Sequence, residues 1–346
     1  MLKKFQDNKK IVLAALGLFI LFVVAALFYK IYFKKEIQLK TEKKTGNINV
    51  LILGKAGGRH EGPDLTDTIM VATINPNKNT VTLISIPRDL WIPDLAAKIN
   101  TAYSYGQERG DKGKLLVKTA VSQVTGKQID YVLVVDFDAF VNLVDHLGGI
   151  DVNVKQTLDD YKYPIEGKED DPCEHTEEEV IDLSDQIATG AAKTEDVFPC
   201  RYKHIHFDSG IQHMTGEQAL EFVRSRHGVN GEGSDFARSQ RQQDVINAIR
   251  NKALSLGIIL NPFKVLGVFN IIKDNIDTNA DVREIDDFIS LANKMQDAKI
   301  NSVVLDFGNE IQGKTGLLMH PTISEAQKRQ WVLIPRIGDG DFSEIH

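Results

Sequence analysis

The stretch "IDYVLVVDFDAFVNLVDHLGGIDVNV" at residues 129–154 decides the fold class of this chain. Residues 129–137 form an apolar, β-branched run that predicts a buried strand. The following segment opens at Asp138, carries apolar side chains at helical spacing and closes at Gly148–Gly149, so it predicts a capped helix. Residues 150–154 then predict a short strand. A strand, a helix and a second strand in succession indicate an α/β layer structure.

The flanking segments continue this alternation of strands and helices. "NINVLIL" at 47–53 predicts a strand, and the β-rich runs 67–76 and 79–87 predict a hairpin. Strand-like runs also occupy residues 301–307 and 330–335. Apolar residues at helical spacing predict further helices at residues 112–126, 219–227, 236–255, 262–275 and 281–296. Three of them have capping signals: Gly126 as a C-cap, a Thr215/Gln218 capping box, and Ser234 or Asp235 as an N-cap.

Charge is distributed unevenly along the 346 residues. The net charge of −7 is no signature of nucleic-acid binding. The segment from Asp159 to Asp185 holds twelve acidic residues against two lysines, so it carries −10 and the rest of the chain carries about +3. Residues 155–209 lack clear periodicity, and we expect a long acidic loop there.

The amino-terminal region predicts a membrane anchor. Residues 11–29 contain no charged side chain and, as a helix at about 1.5 Å per residue, would cross the hydrocarbon core of a bilayer. An uncleaved single-pass anchor is favoured over a signal peptide. Lysines on both sides of the span leave its orientation open, and a large domain outside the cytoplasm is allowed. The chain has two cysteines, Cys173 and Cys200, and an oxidising compartment would allow them to form a disulfide around the acidic loop.

The densest group of arginines lies at residues 224–241, within "RSRHGVNGEGSDFARSQR". At helical spacing, Arg238, Arg241 and Gln242 fall on the face that Val245 and Ile249 continue into the core. Arginines near a helix N-terminus oppose the helix dipole, and a bound oxyanion relieves that penalty. Arg224 and Arg226 precede the helix and are expected to converge on the same anion. Solvated or ion-paired arginines are the alternative.

A second motif, "SIPRDLWIP" at 85–93, adds Arg88 and Asp89 after a predicted strand, where α/β sheets bind ligands. Asp67 begins another strand. A carboxylate beside phosphate-binding arginines suggests a Mg²⁺ ligand, because Mg²⁺ prefers one or two carboxylates together with phosphate oxygens and water. The sequence therefore predicts a diphosphate site, with Arg88, Asp89 and Arg238 as the catalytic candidates.

Six segments together resemble the LytR-CpsA-Psr family of bacterial cell-wall ligases. They are "LTDTIMVATINP" (65–76), "VTLISIPRDLWIP" (81–93), "KINTAYSYG" (98–106), "IDYVLVVDFDAFVNLVDHLGGIDV" (129–152), "HMTGEQALEFVRSR" (213–226) and "DFARSQRQQDVI" (235–246). The resemblance implies a single α/β domain whose central, mostly antiparallel or mixed sheet lies between helices. It implies transfer of a phosphate-linked glycopolymer from an undecaprenyl-diphosphate carrier to peptidoglycan. Hydrolysis of that diphosphate, or binding without ligase activity, is the alternative.

By motif match, the resemblance implies which residues hold the ligands. The diphosphate set would be Arg88, Arg224, Arg226, Arg238 and Gln242, to which the helical face adds Arg241. Asp67 would hold Mg²⁺, with Mn²⁺ as the alternative ion. The family commonly has a second aspartate in a Gly-x-Asp loop, where this chain has Lys55, Ala56 and Gly57. Asp64 or Glu61 could replace that carboxylate, or Lys55 could supply a positive charge.

The resulting organisation has five parts. We expect a cytoplasmic segment at 1–10, the anchor at 11–33, a charged tether at 34–46, the main domain at 47–255, and an α/β extension packed on it at 256–346. The expected partners are the membrane, the lipid-linked glycopolymer and peptidoglycan, and the expected location is the outer face of the cell membrane.

Overall fold

The computed structural model describes residues 46–58, 62–255, 257, 262–272, 276–306, 308–309, 314–322, 327–328, 330–337 and 342. The helices are α1 Ala102–Glu108, α2 Gly113–Thr125, α3 Phe137–His146, α4 Glu177–Ala188, α5 Thr194–Val197, α6 Gly216–Arg224, α7 Asp235–Ser255, α8 Pro262–Ile272 and α9 Ile285–Lys294. The longer strands are β1 Ile48–Lys55, β2 Thr66–Asn75, β3 Thr80–Ser85, β6 Tyr131–Val135, β7 Ile150–Val154, β8 Leu158–Pro164, β9 Tyr202–Phe207, β10 Gly210–Met214 and β12 Lys299–Val304. The short strands are β4 Trp91–Ile92, β5 Ala97–Lys98, β11 Ile276–Thr278, β13 Gly308–Asn309, β14 Lys314–Thr315, β15 Leu318–Met319 and β16 Ile334–Pro335.

A six-stranded mixed sheet forms the centre of the molecule, in the order β11-β6-β1-β2-β3-β12. The β1–β6 and β3–β12 pairs are parallel, and the other three pairs are antiparallel. The predicted hairpin is confirmed, with Met70 opposite Ser85 and Asn75 opposite Thr80. The mixed central sheet of an α/β fold is therefore as expected.

Helices cover both faces of this sheet because the strand residues alternate between two apolar surfaces. Leu51 and Leu53 pack with Val117 and Val121 of α2 on one face. Met70 packs on the opposite face, where Ile246 of α7 contacts the apolar cluster. A third apolar cluster lies under the two-stranded sheets β7–β10 and β8–β9 and against α3, α6 and α7. The helix α7 thus packs both on the central sheet and on the two outer two-stranded sheets.

Several predicted caps are confirmed and one is wrong. Thr215 and Gln218 form the capping box of α6, and Gly126 closes α2 with φ of 63°. The hydroxyl of Ser234 accepts the N–H of Ala237 at 3.2 Å, so Ser234 caps α7. Asp136, and not Asp138, caps α3, because its backbone is extended and its carboxylate accepts the N–H of Ala139 at 2.8 Å.

The segment 155–209 is not a single loop. β8 and β9 pair across it, α4 opens with a Thr176/Glu179 capping box, and Cys173 is bonded to Cys200. The prediction of a loop was wrong because β8 and β9 pair across more than thirty intervening residues, and periodicity within one strand does not report a partner so distant in the chain. The predicted disulfide is confirmed.

The carboxy-terminal residues complete the central sheet. β11 pairs with β6 at one edge and β12 pairs with β3 at the other. Leu333 lies beside the turn after β3. The N–H of Trp91 donates to the carbonyl of Leu333, and the N–H of Leu333 donates to the backbone carbonyl of Asp89. The division of the chain near residue 255 stays a prediction.

No helix within the described ranges is both long enough and apolar enough to cross a bilayer. The predicted cytoplasmic segment 1–10, the anchor 11–33 and the tether up to residue 45 lie outside the described residues, as does Glu61.

Candidate functional site

The polar residues that the sequence singled out lie at one end of the central sheet, where β1, β3 and β6 finish. β1 ends there at Lys55, β3 leads into Arg88 beyond Ser85, and β6 leads into Asp136. β2 runs antiparallel to β1 and β3, so it begins at this end of the sheet, and Asp67 is its second residue. The first turns of α7 reach the same end of the sheet, where Gln242 Nε2 donates to Thr68 Oγ1 at 2.9 Å.

Asp67 is the carboxylate on which the arginines converge. Arg88 Nη1 lies 2.7 Å from its Oδ1, and Arg226 Nη2 lies 3.5 Å from its Oδ2. Burial alone would raise the pKa of Asp67, but the charges of Arg88, Arg226 and Arg238 outweigh it and hold the pKa below its usual range. Asp67 is therefore ionised, and about half of its side chain stays exposed.

Positive charge exceeds negative charge around this carboxylate. Burial, together with Arg238 and Arg88, lowers the pKa of Arg226 to about 10, and burial also lowers the pKa of Arg238. Arg238 is 8% exposed in its side chain and forms an ion pair with Asp235 through Nη2 at 2.6 Å. Its Nη1 is buried and makes no hydrogen bond to any described residue. A buried, charged donor without an acceptor points to an anionic ligand.

Asp89 is an ion-pair neighbour of Arg88. Its Oδ2 lies 3.4 Å from Arg88 Nε without accepting a hydrogen bond from it, and its Oδ1 lies 2.6 Å from Lys98 Nζ. Both carboxylate oxygens are thus beside cations. This arrangement suits an orienting partner of Arg88 better than the proton acceptor that a catalytic carboxylate would be.

Arg241 does not line this anion site, which revises its predicted role. It points inward as its helical phase predicted and is buried. Its guanidinium donates to the carbonyls of Phe222 and Ser225 at 2.8 and 2.7 Å and forms an ion pair with Glu232 at 2.8 Å. These acceptors lie at the end of α6 and in the loop that follows, so Arg241 ties that loop to α7.

Arg224 is half-buried and has aromatic neighbours. Its guanidinium carbon lies 4.2 Å from the ring centre of Phe137 and 5.9 Å from that of Tyr163. These cation–π contacts hold Arg224, the last residue of α6, over the start of α3. Arg88, Arg226 and Arg238 are therefore the arginines whose charges act together on Asp67, and Gln242 is hydrogen-bonded to the residue beside it.

Asp64, one of the two positions considered for a second metal carboxylate, is otherwise engaged. Asp64 Oδ1 lies 2.7 Å from Lys55 Nζ, so the two charges neutralise each other. Asp67 belongs to no group of three metal-ligating side chains among the described residues. A single exposed carboxylate still fits Mg²⁺ if phosphate oxygens and water fill the other positions.

Sequence reasoning missed two supporting carboxylates. Asp136 lies against Gly57, whose φ of 71° and close approach leave no room for a side chain, and burial raises the pKa of Asp136. Asp160 is fully buried and accepts from Ser225 Oγ at 2.7 Å and from the N–H of His227 at 3.1 Å, on either side of Arg226. Asp160 lies in the segment without periodicity, so no local pattern pointed to it.

Comparison with known proteins gives a family. The model of the LytR_cpsA_psr family matches residues 29–330. The chain is similar to the Bacillus mycoides protein named polyisoprenyl-teichoic acid–peptidoglycan teichoic acid transferase TagU, with 28% identity over 240 residues that cover 68% of this chain and 61% of that protein. The Bacillus subtilis protein of the same description, TagV, is 28% identical over 226 residues that cover 63% of this chain and 46% of that protein. The chain thus spans less than two thirds of the length of both relatives.

Solved structures share the fold. The crystal structure of B. subtilis TagV aligns with a TM-score of 0.55 at 22% identity, covering 87% of this chain and 95% of that one. The Lin1025 protein from Listeria innocua aligns with a TM-score of 0.53 at 24% identity, covering 87% and 96%.

Proposed function

Because the chain belongs to the LytR_cpsA_psr family, we propose that it transfers a phosphate-linked glycopolymer from a polyprenyl-diphosphate carrier to peptidoglycan. Relatives whose names describe them as teichoic acid transferases support the reaction class. The single observation that carries the proposal is the buried Nη1 of Arg238, which has no hydrogen-bond acceptor among the described residues although Arg88 and Arg226 also converge on this site.

In this proposal the arginines bind the diphosphate and stabilise its charge. An acceptor hydroxyl attacks the phosphorus next to the glycopolymer and releases its proton to solvent, the bond from that phosphorus to the bridging oxygen breaks, and polyprenyl phosphate leaves. Negative charge grows on the leaving oxygen during this step, and Arg88, Arg226 and Arg238 are placed to neutralise it. Asp89 acts through its ion pair with Arg88, and Asp160 by holding the two residues that flank Arg226.

Asp67 is the residue we propose as the ligand of Mg²⁺, with Mn²⁺ as the alternative. Its exposed carboxylate supplies one hard oxygen ligand, and the diphosphate would supply others. When bound, the metal would add positive charge to the phosphate oxygens. The same carboxylate also aligns Arg88 and Arg226, so it contributes to the site with or without the ion.

The proposed location is the outer face of the cell membrane, with residues 11–33 as the anchor. The Cys173–Cys200 disulfide supports this location, because such bonds persist in oxidising compartments and are rare in the cytosol.

The experiment is an assay of the full-length protein with a lipid-diphosphate-linked glycan donor and peptidoglycan. Arg238→Gln is expected to lower the rate by about 100-fold, which is typical for removal of one charge-stabilising donor. Arg283→Gln is the matched control, because Arg283 is 76% exposed and pairs with Asp281, and neither residue contacts Asp67 or its arginines. Wild-type activity in the Arg238 variant would refute the proposal. Release of free phosphorylated glycan, without attachment to peptidoglycan, would indicate hydrolysis.

A further inference from the structure

The outer face of the β8–β9 hairpin carries a second cluster of ligand-type side chains. Asp159 on β8 lies directly opposite His206 on β9, and His204 is two residues earlier on the same face of β9. The neighbouring residues, Asp160 and Ile205, face the interior and are buried. The antiparallel register and the two-residue period of a strand therefore bring these three side chains together at the surface.

The ligand atoms of this cluster are close enough to share one ion. Asp159 Oδ1 lies 2.9 Å from His204 Nε2 and 2.7 Å from His206 Nδ1. The three atoms all lie within 4.8 Å of one another. Ligands about 2.0–2.1 Å from a tetrahedral metal ion lie roughly 3.3 Å apart, so small movements of half-exposed side chains would admit the ion.

Carboxylates face both ring nitrogens of His206, an arrangement that is satisfied either by a second ring proton or by a metal ion at Nδ1. The other nitrogen of His206, Nε2, lies 3.2 Å from Asp208 Oδ1, so carboxylates flank both sides of one imidazole ring. A neutral imidazole has one N–H and can donate to only one of them. With a metal ion at Nδ1, the N–H at Nε2 donates to Asp208, which is the carboxylate–histidine–metal arrangement of many metal sites.

The ring of His204 is also held in position. Tyr161 stacks on it with ring centres 4.1 Å apart and planes 3° from parallel. This contact limits rotation of the imidazole and keeps Nε2 directed toward Asp159. Preorganised ligands lose less conformational entropy when the ion binds.

We propose that Asp159, His204 and His206 bind one divalent transition-metal ion, with Zn²⁺, Ni²⁺ and Cu²⁺ as the fitting class and water completing the coordination. Two imidazoles and one carboxylate suit these ions, whereas Mg²⁺ prefers oxygen ligands only. The site is separate from Asp67 in its residues and in its ion class.

Occupancy of this site would connect two parts of the chain. The ion would join β8 to β9, the two strands that flank the acidic insert, residues 165–201. The carbonyl of Asp159 accepts the N–H of Val229 at 2.9 Å, so the same residue supports the loop between α6 and α7. We expect slower hydrogen exchange of the paired amides in β8 and β9 when the metal is bound.

The test is equilibrium binding of Zn²⁺, Ni²⁺ and Cu²⁺ to the untagged full-length chain in detergent with excess Mg²⁺. One ion per chain is expected at this site, and the electron paramagnetic resonance spectrum of bound Cu²⁺ should show coupling to two imidazole nitrogens. His204→Ala and His206→Ala are each expected to weaken binding at least 10-fold. Asp208→Asn should weaken it about 10-fold, as expected for loss of an outer hydrogen-bond partner.

His213→Ala is the matched control. His213 Nδ1 lies 2.7 Å from Asp151 Oδ1, so it is an exposed strand histidine paired with a carboxylate but without a second imidazole in the group. Binding that this variant weakens as much as His206→Ala would overturn the proposal, as would the absence of saturable binding. Binding that is unchanged in Asp67→Asn, with loss in the His204 variant, would separate this site from the proposed Mg²⁺ ligand.

Discussion

Arg226 and Arg241 show how one residue type serves two purposes in neighbouring positions. Arg241 donates to three backbone carbonyls and forms an ion pair with the Glu232 carboxylate, and its side chain is 4% exposed. Arg226 is one-third exposed and contacts only one side of Asp67, while other guanidinium groups repel it. Arg241 therefore stabilises the fold, whereas Arg226 remains available to a ligand.

This contrast predicts opposite effects of two substitutions. Arg241→Ala should lower the free energy of unfolding by about 3 kcal/mol, because it leaves the Glu232 carboxylate and three carbonyls without their donor. Arg226→Gln should change stability by less than about 1 kcal/mol, since it also removes repulsion, yet it should abolish transfer. Urea unfolding and the transfer assay measure both quantities. Equal destabilisation by the two variants would contradict this assignment.

The lowered pKa of Asp67 predicts a pH-dependent stability difference. A carboxylate with a depressed pKa in the folded state contributes stability above its unfolded value, about 3.9, and loses it as pH falls through the folded pKa. Compared with Asp67→Asn, the wild type should therefore be more stable at neutral pH, by under about 1 kcal/mol because the carboxylate is half exposed. The difference should vanish in strong acid.

Urea unfolding from pH 2 to pH 7 measures this difference. In an Arg88→Gln background the difference should shrink at neutral pH, where Asp67 is ionised, because Arg88 forms the shorter of the two ion pairs with Asp67. A difference that grows on acidification would show that Asp67 is not ionised as described.

At the scale of elements, helical phase identified much of the site. The inward positions of Arg238 and Arg241 followed from the 3.6-residue repeat that Val245 continues, and the position of Arg88 at the end of the sheet followed from its place after a strand. Which arginine binds backbone carbonyls could not follow, because those acceptors arise where α6 ends and are set by tertiary contacts. The β8–β9 pair was missed for a related reason, since its partners are separated by the insert.

The disulfide gives the insert its own stability. Cys173 and Cys200 are 27 residues apart, and closing such a loop contributes about 3 kcal/mol in the chain-entropy model. We expect the Cys173→Ser/Cys200→Ser variant to speed hydrogen exchange of the α4 amides by about 100-fold. Exchange of the α2 amides in the sheet domain should stay unchanged, and so should transfer activity. Equal acceleration in α2 would show instead that the insert and the domain unfold together.

At the scale of the whole molecule, residues beyond α7 are part of the central sheet. They form both of its edges, and Leu333 bonds to the backbone on each side of Leu90. A chain ending at residue 255 would expose the edges of β6 and β3 and release the turn that carries Arg88. Unpaired edges of this kind promote aggregation.

Truncation after Ser255 is therefore expected to give insoluble or aggregated protein, measured by gel filtration and circular dichroism. The matched control excises residues 165–201, including both cysteines, and replaces them with a two-residue turn, because Pro164 and Tyr202 are already paired neighbours in the β8–β9 ladder. That variant should remain folded and monodisperse. A soluble, cooperatively folded truncation would show that the domain ends near residue 255.

The pairing of residues 80–85 with residues 299–304 also constrains the order in which the molecule can be made. A ribosome releases the strand at 80–85 long before its partner, and at about 5–20 residues per second the wait lasts on the order of ten seconds or more. During that interval the nascent sheet has two open sides and no completed turn around Arg88. The anion site can thus assemble only after nearly the whole polypeptide has left the ribosome, and holding factors that shield nascent strands would raise the yield of active protein.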